Sequence, residues 1–260
     1  HQTIMIFLYR FLINLLLIFS PFIILIRLFK KKESPKRFLE KFCFFSKKKI
    51  NGNLIWIHVA SVGELMSVVP LIFKLEKNKL ISQILITSTT LSSSYIFKSF
   101  KFKKSIHQFF TIDSNYFSKK FLNYWKPNLA IFIESEIWPN ILINLKKQSI
   151  NHILLNARIT NKTFKKWNRI NFFSKRLFQS FNAVYPQNKE TERYLKKLSC
   201  KKIIKLGNLK FTKSINKINS GIDKNLYKKK TIWCASSTHN TEELIVAKTH
   251  KKLKKKIQNL

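Results

Sequence analysis

Leu54-Ile-Trp-Ile-His-Val-Ala-Ser-Val-Gly-Glu-Leu-Met-Ser-Val-Val-Pro-Leu71 is an apolar run that breaks at Ser61-Val-Gly-Glu64 and resumes as an amphipathic pattern. A short run of β-branched and aromatic residues, a turn and then a helical period read as strand, turn and helix. The turn carries one carboxylate, Glu64, directly after the strand. In an open α/β sheet, ligands bind beyond the carboxyl ends of the strands, the position this assigns to Glu64. The same residues also fit the capping box S-x-x-E, in which Ser61 and Glu64 satisfy free amides of the first helical turn. On these residues alone, capping is the commoner origin of the pattern.

Outward from this stretch, short apolar runs alternate with helical patterns, the rhythm of βαβ units and a parallel sheet. The expected strands are residues 54–60, 83–88, 106–112, 129–133, 152–156, 183–186 and 202–206. Helices are expected over residues 64–77, 116–125, 138–148, 164–181 and 189–197. Polar residues 212–230 then read as a linker. A second unit follows, with a strand over residues 231–235, a turn, and a helix over residues 242–256. One strand and one helix do not make a stable domain.

Fifty Lys and Arg against twelve Asp and Glu give a formal charge of +38, which makes every strand-end acid conspicuous. Such a charge suits nucleic acid or an anionic membrane. The lysines are spread along the whole chain, as a general compositional drift would leave them, so nucleic acid is not an expected partner; a lipid surface is. Hydrophobic residues make up 45% and exclude a disordered chain. With only four glycines, Gly52, Gly63, Gly207 and Gly221 are expected at turns or close backbone approaches. Cys43, Cys200 and Cys234 are widely spaced and read as reduced, and the histidines show no metal-ligand spacing.

Residues 4–29 are almost wholly apolar, with an uncharged stretch from residue 11 to residue 26 between Arg10 and Arg27. That is slightly short of the roughly 20 residues that span a bilayer, and both arginines are expected to reach the interfaces. Insertion and spanning both stay open. Basic residues Lys30, Lys31, Lys32, Lys36 and Arg37 follow, which argues against a cleaved signal peptide and places the rest on the cytoplasmic face.

Three further strand ends carry polar turns. Glu134-Ser-Glu-Ile-Trp-Pro-Asn140 sets Glu134 and Glu136 after the strand at residues 129–133, where they either favour a helix N-terminus or share a cleft with Glu64. Asn156-Ala-Arg158 and Gly207-Asn-Leu-Lys210 place cations near the same edge, a fork for carboxylate or phosphate and a point charge. In the second unit, Ser236-Ser-Thr-His-Asn-Thr-Glu-Glu243 offers hydroxyls and free amides to an anion, or simply caps a helix through Asn240 with Glu243.

Together, in this order and spacing, Ser61-Val-Gly-Glu64, Glu134-Ser-Glu-Ile-Trp-Pro-Asn140, Asn156-Ala-Arg158, Gly207-Asn-Leu-Lys-Phe211 and Ser237-Thr-His239 with Glu242-Glu243 resemble the 3-deoxy-D-manno-octulosonic acid (Kdo) transferases of lipopolysaccharide synthesis. The resemblance implies an α/β GT-B fold. Its parts would be a membrane anchor (residues 4–29), a Rossmann-like acceptor domain (residues 50–211), a linker (residues 212–230) and the incomplete start of a nucleotide-sugar domain (residues 231–260). It implies inverting, metal-independent transfer of Kdo from CMP-Kdo to lipid IVA at the cytoplasmic face of the inner membrane, with no cofactor. Glu64 would be the base. Ser61, Gly63, Glu134, Glu136, Arg158 and Lys210 would line the acceptor cleft, and Ser237, Thr238, His239 and Glu242 would begin the donor site. Most of the donor domain would lie beyond Leu260, leaving open a fragment, a truncated product or half of a split enzyme. Thr212 stands where the family often carries an acid. The alternatives are another GT-B lipid glycosyltransferase and a non-catalytic basic protein that binds membrane or nucleic acid.

Overall fold

The computed structural model describes residues 2–209, 230–257 and 259–260. Lys210, Phe211, Gly221 and the expected linker up to residue 229 lie outside the described residues. The chain divides into two compact units, His1–Ser214 and Ile215–Leu260.

In the first unit, β1 (Leu54–Val59), β2 (Gln83–Ser88), β3 (Ser105–Phe109), β4 (Leu129–Ile133), β5 (Asn151–Ala157) and β6 (Ala183–Pro186) form one parallel sheet in the order β3-β2-β1-β4-β5-β6. The chain works outward from β1 to β3, then crosses back to lay β4 against the other side of β1. That reversal makes the β1/β4 boundary the switch point, the place beyond the strand ends where open α/β sheets bind their ligands.

The sheet is buried on both faces, which is why its strands are continuous apolar runs rather than alternating ones. Trp56, Phe121, Trp125, Phe132, Leu142 and Phe178 pack on one face; Ile57, Val59, Leu65, Ile72, Ile86 and Ile133 pack on the other. Each fully buried Phe, Leu or Ile contributes about 1.5–3 kcal/mol. On the first face lie α4 (Asn115–Trp125), α5 (Pro139–Lys147) and α7 (Asn171–Phe178), each contributing buried residues to that core. On the second lies α2 (Val62–Glu76). α1 (Gln2–Phe29) is a long apolar helix ahead of the sheet.

Two expectations for this unit are corrected. Residues 202–206 do not add a seventh strand: only an isolated bridge, Val184 to Ile203, joins them to β6, and Lys201, Lys202 and Lys205 keep the segment at the solvent edge. The helix expected over residues 164–181 is two, α6 (Asn161–Arg169) and α7, broken where Ile170 leaves helical geometry at φ −113° and ψ 45°. Between β2 and β3, α3 (Leu91–Ser99) forms although Ser92, Ser93 and Ser94 blur its apolar face; Thr90 caps it by accepting from the Ser93 N–H. After β6 comes α8 (Lys189–Lys197), as the spacing implies.

In the second unit, α9 (Glu242–Lys254) forms, but residues 231–235 are not a strand. A parallel strand needs a neighbour to take its N–H and C=O groups. Here the Thr231 N–H instead meets the Asn259 carbonyl at 2.6 Å.

Candidate functional site

Glu64 and the Glu134–Glu136 turn stand on either side of the switch point. β1 ends at Val59, and Ala60 and Ser61 turn the chain into α2. The Ser61 Oγ accepts from the Glu64 N–H at 3.2 Å, and the Glu64 carboxylate reaches back to the Ala60 N–H at 2.6 Å. The Thr89 hydroxyl, after β2, donates to the Ala60 carbonyl at 2.8 Å and fixes the turn from the other side. Capping therefore occurs, and it holds one carboxylate oxygen while Glu64 remains half-buried at the sheet edge.

Helix-terminal stabilisation does not decide the charge of Glu64. Burial pushes its carboxyl up to about 7; the Ala60 N–H opposes this, and the negative charges of Glu136 and Glu134 add to the rise. The three carboxylates thus lie close enough at the β1/β4 boundary for their charges to act on one another.

The second turn is held by the backbone and by a buried histidine. Glu134 sits at φ +56° with its N–H on the Leu155 carbonyl (3.1 Å), and its own carbonyl accepts from the Arg158 N–H (3.1 Å). The Ser135 hydroxyl donates to the Arg158 carbonyl at 2.7 Å. These bonds tie the ends of β4 and β5 together. Asn156, also in the left-handed region at φ +54°, accepts the Leu209 N–H on its side-chain oxygen. Two non-glycine residues held in that region beside one crevice are a local strain that the neighbouring bonds sustain.

Glu136 does not serve a helix N-terminus. Its Oε2 accepts from the Trp138 indole N–H at 2.8 Å and lies 3.1 Å from His58 Nε2. His58 is fully buried on β1, with Nδ1 2.9 Å from the Thr87 hydroxyl, which also accepts the Trp56 indole N–H. A carboxylate can only accept, so a neutral His58 ring carries its proton on Nε2 and takes the Thr87 proton on Nδ1. The chain Trp56, Thr87, His58, Glu136 runs from the core to the crevice and fixes one carboxylate of the acidic pair.

The N-terminus of α5 is capped from a distance. Trp138 offers no side-chain cap; instead Asp113, just after β3, accepts from the Asn140 N–H (3.0 Å) and the Ile141 N–H (2.8 Å). The Tyr9 hydroxyl of α1 adds a third donor at 2.8 Å. Sequence reasoning missed His58, Thr87, Trp138 and Asp113. Asp113 carried the signal that marked Glu64, a scarce acid directly after a strand, whereas nothing in the sequence set His58 apart from the apolar run around it.

Arg158 is exposed after β5, at a polar cleft of about 340 Å³ also lined by Thr160, Gln187, Asn188, Thr191 and Asn208. Lys210 lies outside the described residues. Ser237, Thr238, His239 and Glu242 are in the second unit, where the His239 N–H donates to the Glu242 carboxylate at 2.8 Å. Capping by Asn240 with Glu243 does not form: Thr241 is the residue before α9, at φ +81°, with no side-chain cap.

Gly63 departs from the glycine expectation. Gly52 and Gly207 have φ of +109° and +83°, but Gly63 is an ordinary helical residue, and a Cβ there would meet only Ser61 Oγ at 3.9 Å. The fold therefore tolerates Gly63→Ala, which should raise helix stability by up to about 1 kcal/mol. Thermal melting of the variant beside the wild-type chain checks this.

Residues 36–213 match the family described as 3-Deoxy-D-manno-octulosonic-acid transferase (kdotransferase). The chain is 37% identical to the 3-deoxy-D-manno-octulosonic acid transferase of Rickettsia bellii, over 96% of this chain and 60% of that protein. It is 29% identical to the enzyme of the same name from Haemophilus influenzae, over 96% of this chain and 61% of that one. The chain thus spans about three fifths of the length of these relatives. Among solved structures, a UDP-N-acetylglucosamine 2-epimerase from Rickettsia bellii aligns with a TM-score of 0.44 at 15% identity, over 62% of this chain and 46% of that one.

Proposed function

The chain belongs to the 3-deoxy-D-manno-octulosonic-acid transferase family, and from that membership we propose that it is the acceptor-binding part of a GT-B glycosyltransferase of lipopolysaccharide synthesis. The donor is CMP-Kdo and the acceptor lipid IVA, held at the cytoplasmic face of the inner membrane with α1 as the attachment. The observation that carries this reading is the position of Glu64. It lies at the switch-point crevice between β1 and β4, with a carboxyl raised to about 7 and two further carboxylates beside it.

Glu64 takes the proton of the attacking lipid IVA hydroxyl as the new glycosidic bond forms at the anomeric carbon of Kdo and CMP departs with inversion. A base with a pKa near the working pH combines a usable ionised fraction with real proton affinity. Glu136, fixed by His58 and Trp138, orients the acceptor sugar, and Arg158 with Lys210 meets its phosphate or the Kdo carboxylate. Ser237, Thr238, His239 and Glu242 begin the donor site. No metal and no cofactor take part.

The test is product analysis. This chain, joined to the remaining length of the Rickettsia bellii relative, is given CMP-Kdo and lipid IVA, and the lipid is weighed by mass spectrometry. A mass gain of Kdo supports the assignment. An unreacted pair, with turnover of another sugar nucleotide, replaces it with a different lipid glycosyltransferase. Because the Glu64 pKa is raised, the ionised base accumulates as pH climbs, so kcat/KM should rise through an acid limb centred near 7. A flat profile between pH 5.5 and 8 would remove Glu64 from the proton transfer.

A further inference from the structure

The apolar helix α1 is bonded to the first unit near both of its ends. Near the start, the Tyr9 hydroxyl donates to Asp113, and the Arg10 guanidinium donates to Asn140 Oδ1 at 2.9 Å and to Asn115 Oδ1 at 3.0 Å. Met5 and Ile6 pack on the apolar core that α4, α5 and α7 share. Near the end, Arg27 pairs with buried Glu33 at 2.7 Å; Glu33 also holds Lys41, whose carbonyl accepts the Ile112 N–H. Between these anchors, Ile6, Arg10, Ile13, Leu17, Ser20 and Ile24 form one shielded stripe at helical spacing. The opposite side is apolar and open, with Phe7, Ile18, Phe22 and Phe29 between 71% and 80% exposed.

A helix crossing the bilayer with the domain at one side would carry Tyr9 and Arg10 to its far end. Fifteen residues separate Tyr9 from Ile24, about 22 Å along the axis, and the hydrocarbon layer is about 30 Å thick. Crossing would break all three bonds to Asp113, Asn115 and Asn140 and leave a charged guanidinium without its partners in or beyond the hydrocarbon. We propose that α1 does not cross the membrane but lies in the plane of an anionic leaflet, its stripe pinned to the domain and its open face sunk in lipid. Charge complementarity selects that occupant: Lys30, Lys31, Lys32 and Lys36 are exposed at the end of the helix, where they meet phosphate headgroups. Pinning through Asn140 also joins the lipid-facing helix to the Glu134–Asn140 loop, so the membrane surface and the acidic crevice are held in one rigid relation.

The inference rests on the membrane attachment proposed above, and two measurements separate them. Co-sedimentation of the full chain with phosphatidylglycerol vesicles tests attachment; failure to pellet, with α1 burying its face in a second copy, overturns both statements. Sidedness tests orientation. In membranes from cells expressing Gln2→Cys, an impermeant maleimide is applied to right-side-out and to inverted vesicles, and labelling is read at residue 2 and at the native, exposed Cys234. Both sites labelling only in inverted vesicles is the expected result. Residue 2 labelling in right-side-out vesicles while Cys234 labels in inverted ones would establish a crossing helix and overturn the in-plane arrangement with attachment intact.

Discussion

Glu64→Gln in the complete enzyme should lower transfer by about 10²–10⁴-fold, the usual contribution of a positioned general base, while the protein melts at or slightly above the wild-type temperature. The amide oxygen of glutamine replaces the carboxylate oxygen that accepts the Ala60 N–H at 2.6 Å, so the helix start is kept. What glutamine lacks is the capacity to take a proton. The folded carboxyl is raised to about 7, above its ordinary value, so the folded state disfavours the ionised form. That penalty is absent below the unfolded pKa, grows as pH rises and is complete above about 7. The variant has no such penalty, and it no longer repels Glu136 and Glu134. Its melting temperature should therefore match wild type at pH 4 and equal or exceed it at pH 8. Retained transfer would leave Glu64 as a cap alone, and a large fall in melting temperature would make the lost activity uninformative.

That experiment separates two roles that the sequence superimposed on one residue. Ser61-Val-Gly-Glu64 was legible both as a cap and as a strand-end acid, and the bonds around it show that the cap forms. The parallel sheet was legible because strands buried on both faces are continuous apolar runs separated by helical periods. Its order was not, since nothing local to β1 states that β4 returns to its other side. The switch point, which brings Glu64 and Glu134–Glu136 together, is therefore a property of topology rather than of either motif. His58 was hidden for a related reason: a buried polar side chain inside a strand is identified by its partners, and Thr87 and Glu136 lie 29 and 78 residues away. The strand assigned to residues 231–235 failed because apolar content alone does not supply the neighbour that a strand must bond, and that assigned to residues 202–206 meets β6 only around Val184, a single bridge rather than a ladder.

The second large effect is expected at Asp113. Asp113→Ala removes the acceptor from the Asn140 N–H, the Ile141 N–H and the Tyr9 hydroxyl at once. A buried donor left without a partner costs about 1–3 kcal/mol. Three of them, less the relief of a carboxyl whose burial pushes it up to about 7, leave a net loss of about 3 kcal/mol. For a unit of roughly 200 residues that is a fall of about 6–12 °C in melting temperature. Asp113→Asn is the control: it keeps one acceptor oxygen, removes the charge, and should lose about 1 kcal/mol. Its deficit should shrink as pH rises from 4 to 7, because wild type alone acquires the penalty of ionising a buried carboxyl over that range. Transfer should fall in Asp113→Ala beyond what the unfolded fraction accounts for, since Asn140 ends the loop that presents Glu136. Wild-type stability in Asp113→Ala would mean that the first turn of α5 finds other acceptors, and the link from α1 through Asp113 to the acidic crevice would then be mechanically idle.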